Sequence, residues 1–238
     1  MIIVTGASNN HYNTLKQFID SVIKFRNIDI QLIVYDLGIE TSNWNNLITL
    51  HNVHYNISFK TFDYTKYPSW YNININAGEY AWKSAIIYET YLEHTESIIM
   101  WMDAGNIITS KLNPLVEFIK INGVHTGVTS GDIKLWTHPK TLEYMKPSNL
   151  NMPNRNGAAI GFNCKIQWVK DFLEEFYNCC CDKNCIAPEG SSRINHRQDQ
   201  AVLTILFYKY LEKYKFGVYS HPLEKWNTFL CYTIHNDI

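Results

Sequence analysis

The chain lacks several features that mark membrane, secreted or nucleic-acid-binding proteins. Its 21 basic residues balance 22 acidic ones and form no Lys/Arg block, so the net charge is −1. A nucleic acid partner requires a basic face, and none is expected here. No apolar run reaches the roughly 18 residues of a membrane span, and the opening MIIVTGASNN has no basic segment typical of a signal peptide. We therefore expect no integral membrane segment and a cytoplasmic location, or a virus factory for a viral protein.

Glycine and proline are scarce as well, at 11 and 7 of the 238 residues, and no Gly/Ser/Pro linker divides the chain. Hydrophobic residues make up 46% and charged residues 18%, which is a globular composition. The chain is long enough to bury a sizeable core. We expect residues 1–238 to form a single domain.

Cysteine is concentrated in one place: four of the six cysteines lie in CCCDKNC, residues 179–185. The segment lacks the two separated pairs of a zinc knuckle. An even count suits disulfides in a secreted protein, but nothing else in the sequence indicates secretion. Reduced thiols are the favoured interpretation, and a disulfide or a metal site stay open.

Apolar strands alternate with amphipathic segments along the chain. IIVT (2–5) and QLIVYD (31–36) predict strands, and the apolar stripe between them has helical spacing. This order indicates a parallel pair with a right-handed crossover. Further strands are expected at 98–103, 124–129, 158–163 and 215–220, with helices at 79–94, around 168–176 and at 201–211. The helical stripe of the first crossover comprises Leu15, Phe18, Ile19, Val22 and Ile23.

The segment IIMWMDAGN (98–106) is the first candidate for chemistry. An apolar strand that ends in Asp103 places a carboxylate at the edge of the sheet, where it can bind a divalent cation or a ribose. Alternatively, Asp103 caps the following turn and Gly105 supplies a positive φ. Both interpretations stay open.

Three other segments contain polar side chains beside small or apolar ones. RNGAAIGFN (155–163) allows a ligand to approach the backbone, or is a tight turn into a buried strand. HRQDQ (196–200) precedes an apolar helix, where Asp199 suits an N-cap, although amides beside a carboxylate also suit sugar hydroxyls. YSHPLEKWN (219–227) offers His221, Lys225 and Trp226. TGAS (5–8) is similar to the start of short-chain dehydrogenases but lacks the further glycines that seat a pyrophosphate.

The order of these segments resembles the GT-A fold glycosyltransferases, in particular glycosyltransferase family 8 and glycosyltransferase-like families of nematodes and giant viruses. The resemblance extends over about residues 2–227. It implies a single Rossmann-like α/β domain with a mixed, mostly parallel sheet flanked by helices. A nucleotide-binding half would cover about 1–110, and a donor-sugar and acceptor half about 111–238.

The resemblance also implies roles for individual residues. Asp103 matches the first acid of the DxD motif, and with the late His221 it would bind a divalent cation, expected to be Mn²⁺. Asp199 and Gln198 match the stretch beside the reaction centre and are the catalytic candidates. The residues expected to bind the nucleotide-sugar donor are Thr5, Gly6, Ala7, Asp36, Lys83, Asp103, Ala104, Gly105, Asn156, Gly157 and Lys225.

The second acid of DxD is missing, because Gly105 stands where an Asp would bind the metal. Three interpretations follow: a weaker metal site, a metal-independent enzyme that uses Lys83 or Lys225 on the diphosphate, or a domain without catalysis. The expected function is sugar transfer from a nucleotide-sugar donor to a carbohydrate or protein hydroxyl. The alternatives are a catalytically inactive nucleotide-sugar-binding domain and an NAD(P)-dependent short-chain oxidoreductase.

Overall fold

The structure, a computed structural model, describes residues 1–25, 29–54, 56–217 and the backbone of 231–233. Its strands form a six-stranded sheet of order β3-β2-β1-β4-β7-β6 and a two-stranded sheet of β5 and β8. Strand β1 pairs in parallel with β2 and β4, and β2 with β3, whereas β7 runs antiparallel to β4 and β6. The strands are β1 (Ile2–Ala7), β2 (Gln31–Asp36), β3 (Ile57–Thr61), β4 (Ile98–Met102), β5 (Asn106–Ile108), β6 (Val124–Asp132), β7 (Pro153–Asn163) and β8 (Cys231–Thr233).

Helices cover both faces of the larger sheet. Successive residues of a strand point to opposite faces, and in β1 Ile3 packs against α1 and α4 on one side while Val4 packs towards α3, α7 and α9 on the other. Apolar residues on both faces explain why the central strands read as continuous hydrophobic runs. The helices are α1 (Tyr12–Phe25), α2 (Thr41–His51), α3 (Ala81–Glu93), α4 (Asn113–Asn122), α5 (Ile133–Trp136), α6 (Pro139–Met145), α7 (Gln167–Cys181), α8 (Lys183–Ile186) and α9 (Gln198–Tyr214).

The α/β class and the mixed sheet flanked by helices are confirmed. Strands from both of the expected halves share one sheet, because β6 and β7 continue the sheet begun by β1 to β4. The predicted strand at 215–220 is wrong for its first three residues, since Lys215 ends α9 with φ +52° and no strand follows in 215–217. Among the described residues, no helix is both long and apolar enough to cross a bilayer.

Cys179 and Cys185 form a disulfide that joins the last turn of α7 to α8. The reduced state favoured from the sequence is therefore wrong for this pair, while Cys164, Cys180 and Cys181 are free thiols. Within the described ranges, no three His, Cys, Asp or Glu side chains are grouped as metal ligands would be. Two cysteines of the cluster thus form a covalent cross-link between α7 and α8.

Candidate functional site

The site lies where the order of strands in the sheet reverses. From β1 the chain proceeds to β2 and β3 on one side and then returns to β4 on the other. Ligands of open α/β sheets bind at the carboxyl ends of the strands beside this switch point. A cavity of about 640 Å³ opens there, bordered by the end of β1 at Gly6 and Ala7 and by the turn after β4 at Asp103, Ala104 and Gly105.

A second cavity, of about 480 Å³, lies next to the first and is bordered by β7, β6 and the start of α9. Its walls include Asn156 and Gly157 of β7 and Gln198, Asp199 and Gln200 of α9. Four residues border both cavities: Tyr80, Lys83, Asp103 and Arg193. The two cavities therefore form one cleft with these side chains at the junction.

Lys83 joins three of the motifs that the sequence placed far apart. Its Nζ lies 3.0 Å from Oδ2 of Asp199 and 3.2 Å from Oδ1 of Asp103, and it donates to the carbonyl oxygen of Gly157 at 3.1 Å. Lys83 lies in the first turn of helix α3, which packs against β1 and β4, and its ammonium group lies between the two carboxylates. The strand-end acid, the small-residue strand and the QDQ helix start thus meet at one ammonium group.

Burial makes these ion pairs strong. Lys83 is 5% exposed and Asp199 4%, whereas the side chain of Asp103 is 38% exposed to the cleft. Burial lowers the pKa of Lys83, but Asp103 and Asp199 together outweigh it and hold that pKa above its ordinary value. Burial likewise raises the pKa of Asp199, and Lys83 opposes that rise. Each group of this pair therefore favours the charged form of the other, against the effect of burial.

The position of Asp103 is fixed by its neighbours. Trp101 Nε1 donates to Oδ1 of Asp103 at 2.6 Å. The backbone N of Asp103 donates to the carbonyl of Ala158 at 2.8 Å. Asn106 Nδ2 donates to the carbonyls of Asp103 at 2.8 Å and Ala158 at 2.9 Å. The turn after β4 is therefore tied to β7, and the carboxylate faces the cleft at a set place.

The described residues do not by themselves fit a divalent cation. Asp103 is a carboxylate at the junction with partial exposure, but one of its oxygens already faces Lys83 and Trp101. A divalent cation needs several oxygen or nitrogen ligands from its site. His221, the other expected ligand, and Lys225 lie outside the described residues. No step of the chemistry is therefore assigned to a metal.

The remaining predicted donor residues divide between the cleft and the core. Gly6, Ala7, Ala104 and Gly105 border the first cavity, and Asn156 and Gly157 the second. Thr5 is fully buried within β1 and borders neither cavity. Asp36 caps the turn after β2 by accepting from the backbone N of Gly38 at 2.8 Å and of Ile39 at 2.7 Å.

Gly157 and Gln198 lie close to Asp199. A Cβ at Gly157 would lie 3.4 Å from Oδ2 of Asp199, at van der Waals contact with the buried carboxylate. Gln198 opens α9 with φ +36°, and its Nε2 lies 3.4 Å from Glu79 Oε2. Both residues sit beside Asp199 on the wall of the second cavity.

Tyr80 and Arg193 also border the cleft, although neither was a candidate site residue in the sequence; Arg197, from the polar segment HRQDQ, borders the second cavity. Tyr80 ends a left-handed turn, Asn76–Tyr80, in which all five residues have positive φ. Arg193 lies over the Tyr80 ring at 5.3 Å from its centroid, and Arg197 over the Trp136 ring at 4.1 Å. The polar segment HRQDQ already pointed to Arg197, whereas Tyr80 and Arg193 are 113 residues apart and no local pattern links them.

Comparison with protein families is informative for the first part of the chain. A family described as a protein of unknown function, DUF1647, matches residues 1–88. No curated protein sequence matches the chain significantly.

Solved structures match nearly the whole chain. The bifunctional glycosyltransferase WbbM superposes with a TM-score of 0.60 over 94% of this chain at 14% identity. Galactosyltransferase LgtC, solved in complex with donor and acceptor sugar analogues, gives 0.54 over 87% at 18% identity. The glycosyltransferase GlyE of Streptococcus pneumoniae TIGR4 gives 0.51 over 92% at 11% identity. The chain has a GT-A fold.

This GT-A chain is shorter than the proteins it matches. It covers 39% of WbbM, 45% of GlyE and 70% of LgtC. At these identities the likeness establishes the fold, and the chemistry has to be argued from the cleft itself.

Proposed function

We propose that the chain transfers a sugar from a nucleotide-sugar donor to a hydroxyl group of a carbohydrate or protein acceptor. The supporting observation is the contact of Lys83 with both Asp103 and Asp199 at the junction of two cavities. A bisubstrate transfer needs two adjoining compartments and charged groups at the reacting atoms between them. The GT-A fold and the polar walls of the cleft agree with this proposal.

The first cavity suits the nucleotide. Gly6 and Ala7 present backbone without bulky side chains at the end of β1, and Ala104 and Gly105 do so after β4. The second cavity suits the donor sugar and the acceptor, because amide side chains of Asn156, Gln198 and Gln200 border it and can bind hydroxyl groups.

In the reaction, the bond between the anomeric carbon and the diphosphate breaks, and a bond from the acceptor oxygen to that carbon forms. The nucleoside diphosphate leaves with the electron pair, and the acceptor loses its hydroxyl proton. We assign Asp103 to the diphosphate side and Asp199 to the anomeric carbon or to the acceptor proton. Lys83 orients Asp199 through the 3.0 Å contact of its Nζ with Oδ2 and opposes the rise of the Asp199 pKa that burial causes.

Manganese stays part of the proposal through Asp103 and His221, as the resemblance implies. If bound there, the ion would neutralise charge on the diphosphate as it leaves. The assignments of Asp103, Asp199 and Lys83 above do not depend on the ion.

The first prediction concerns activity. Donor hydrolysis and transfer are measured across UDP, GDP and TDP sugars, with and without Mn²⁺, for the wild type and for Asp103→Ala and Asp199→Asn. We expect a loss of about 100-fold or more in kcat/KM for each variant, since each removes a charge beside the reacting bond. Asp171→Ala removes an exposed acid outside both cavities and serves as the control.

Other outcomes distinguish the rival functions. Intact activity in Asp103→Ala would reject the role of that residue. Calorimetric binding of nucleotide sugars without turnover of any donor would indicate an inactive binding domain. Binding of NAD(P) in place of nucleotide sugars would favour the oxidoreductase.

A further inference from the structure

Arg193 is placed where the two cavities meet and where a cation is needed. It lies in the segment between α8 and α9 and borders both cavities, whereas Arg197 borders the second alone. Among the described residues, no carboxylate forms an ion pair with Arg193. Its guanidinium group is exposed to the cleft and available to a ligand.

Lys83, the other cation at the junction, is already engaged by two carboxylates. Lys83 contributes one positive charge, and Asp103 and Asp199 two negative charges. Without further cations this cluster would repel a diphosphate, because the interaction of unit charges at short range is substantial even near a protein surface. Arg193 brings the charge at the junction to zero, and Arg197 makes the second cavity positive.

The backbone around Arg193 is held in place although its side chain is exposed. Asn195 Nδ2 donates to the carbonyl of Gly190 at 3.1 Å, and the buried His196 Nε2 lies 2.7 Å from the carbonyl of Ile186. The backbone N of Arg197 donates to the carbonyl of Trp136 at 3.0 Å. The guanidinium carbon of Arg193 lies 5.3 Å from the centroid of the Tyr80 ring, whose face supports the planar group.

We propose that Arg193 binds the diphosphate of the donor and stabilises it as it leaves, an inference that rests on the proposed function. An exposed guanidinium group lies at the junction, next to a lysine that two carboxylates already engage. A guanidinium group offers a planar set of donors that matches phosphate oxygens in pairs. The ligand class is therefore a nucleoside diphosphate, alone or as part of a nucleotide sugar.

The second prediction tests this role by calorimetry with UDP, GDP and TDP and with the corresponding nucleosides, with and without Mn²⁺. We expect Arg193→Ala to weaken binding of the preferred diphosphate about 10- to 100-fold, as loss of a charged hydrogen bond does. Nucleoside binding should change less than about 2-fold. Arg193→Lys should retain part of the affinity, because it keeps the charge and loses the paired geometry.

Lys111→Ala is the matched control, since it removes a positive charge that borders neither cavity. Thermal unfolding of each variant establishes that it is folded. The salt dependence of diphosphate binding gives a second readout, because loss of a charge contact should make the affinity less sensitive to ionic strength.

The outcomes separate this inference from the proposed function. If the wild type binds a diphosphate and Arg193→Ala binds it equally well, with the same salt dependence, the role of Arg193 is rejected and the proposed function stands. An equal loss for nucleoside and diphosphate would indicate a structural role and would also reject it. Failure of the wild type to bind any nucleoside diphosphate or nucleotide sugar would overturn the proposed function and this inference together.

Discussion

Lys83 shows how much of the site depends on one buried side chain. It contacts Asp103, Asp199 and the carbonyl of Gly157, and it is 5% exposed. A buried charge is tolerated only where partners compensate for its lost hydration. Removing the ammonium group would leave Asp199 as a buried, uncompensated carboxylate.

The third prediction follows for Lys83→Met, a substitution of similar length without charge. We expect the free energy of unfolding at pH 7 to fall by about 3–5 kcal/mol. Burial already raises the pKa of Asp199, and loss of Lys83 raises it further, so the folded state binds this proton more tightly than the unfolded state. Stability of the variant should therefore recover as the pH falls towards 5. Urea unfolding at several pH values measures both effects.

Two comparisons make the test specific to this ion pair. The double variant Lys83→Met with Asp199→Asn should regain part of the loss, because it removes the uncompensated charge. Lys60→Met, which removes an exposed pair with Glu93, should cost less than about 1 kcal/mol. A cost of the same size at Lys60 and Lys83 would contradict our account.

At the residue scale, the sequence identified several members of the cleft one at a time. Asp103 and Asp199 each follow or precede an apolar element, and this pattern is visible without the fold. Their contact through Lys83 is not visible, because 20 residues separate Lys83 from Asp103 and 116 separate it from Asp199. Tyr80 is three residues before Lys83 and was not itself a candidate, and Arg193 has no neighbouring motif; only the tertiary fold brings both to the junction.

At the scale of elements, hydrophobic patterning was sufficient for strands buried on both faces. The segments of β1, β2, β4 and the second half of β7 read as apolar runs, and α1 and α7 as apolar stripes. In β6, at the edge of the sheet, only Val124 and Thr126 are buried. Strand β3 was missed because ISFKT is only partly buried and mixes polar residues into its short length. Helices α2 and α4 were also missed, and in α2 only Leu47 and His51 are buried.

The left-handed turn Asn76–Tyr80 is the element that sequence patterns indicate least. Residues other than glycine rarely adopt positive φ, yet Asn76, Ala77, Glu79 and Tyr80 all do so here. Trp82 Nε1 donates to the carbonyl of Ala77 at 3.0 Å and so holds the turn against α3. Strain of this kind is often found beside functional sites, where packing maintains it; this turn presents Tyr80 to the cleft.

The fourth prediction concerns Gly78 within this turn. Gly78 has φ +61°, and a Cβ there would lie 2.2 Å from the carbonyl oxygen of Tyr71 and 2.9 Å from Trp82 Cδ1. We expect Gly78→Ala to lower the free energy of unfolding by about 3 kcal/mol, from overpacking and left-handed strain together. Urea unfolding at pH 7 measures the change.

Ala77→Gly is the matched control, because Ala77 also has positive φ, at 54°. Glycine at this position relieves the strain of the positive φ, which stabilises the fold. It also gives the unfolded chain more conformational freedom, which destabilises the fold. Because the two effects oppose each other, the free energy of unfolding should change by less than about 1 kcal/mol. If Gly78→Ala were as mild as Ala77→Gly, the turn would not be constrained as described.

At the scale of the whole molecule, the sheet determines where ligands can bind, and the disulfide indicates the kind of cellular compartment in which the protein folds. The switch point between β1 and β4 brings both cavities to one edge of the sheet. The Cys179–Cys185 disulfide borders neither cavity and joins α7 to α8. Disulfides persist in oxidising compartments and are rare in the cytosol. The bonded pair Cys179 and Cys185 therefore argues against the cytoplasmic location that the sequence led us to expect. That location stays a prediction.

The last prediction tests whether the intact molecule depends on this bond. The sequence separation of the two cysteines is 6, and closing so short a loop reduces the entropy of the unfolded chain enough to stabilise the fold by about 2 kcal/mol. We therefore expect dithiothreitol, or Cys179→Ser with Cys185→Ser, to lower the Tm by roughly 5 °C for a domain of this size. Cys164→Ser, which alters a free thiol, is the control for loss of a cysteine. Mass spectrometry after alkylation should find Cys179 and Cys185 blocked until reduction. If both react with alkylating agent in the folded, unreduced protein, the disulfide is absent, and nothing in the cysteine cluster then favours an oxidising compartment.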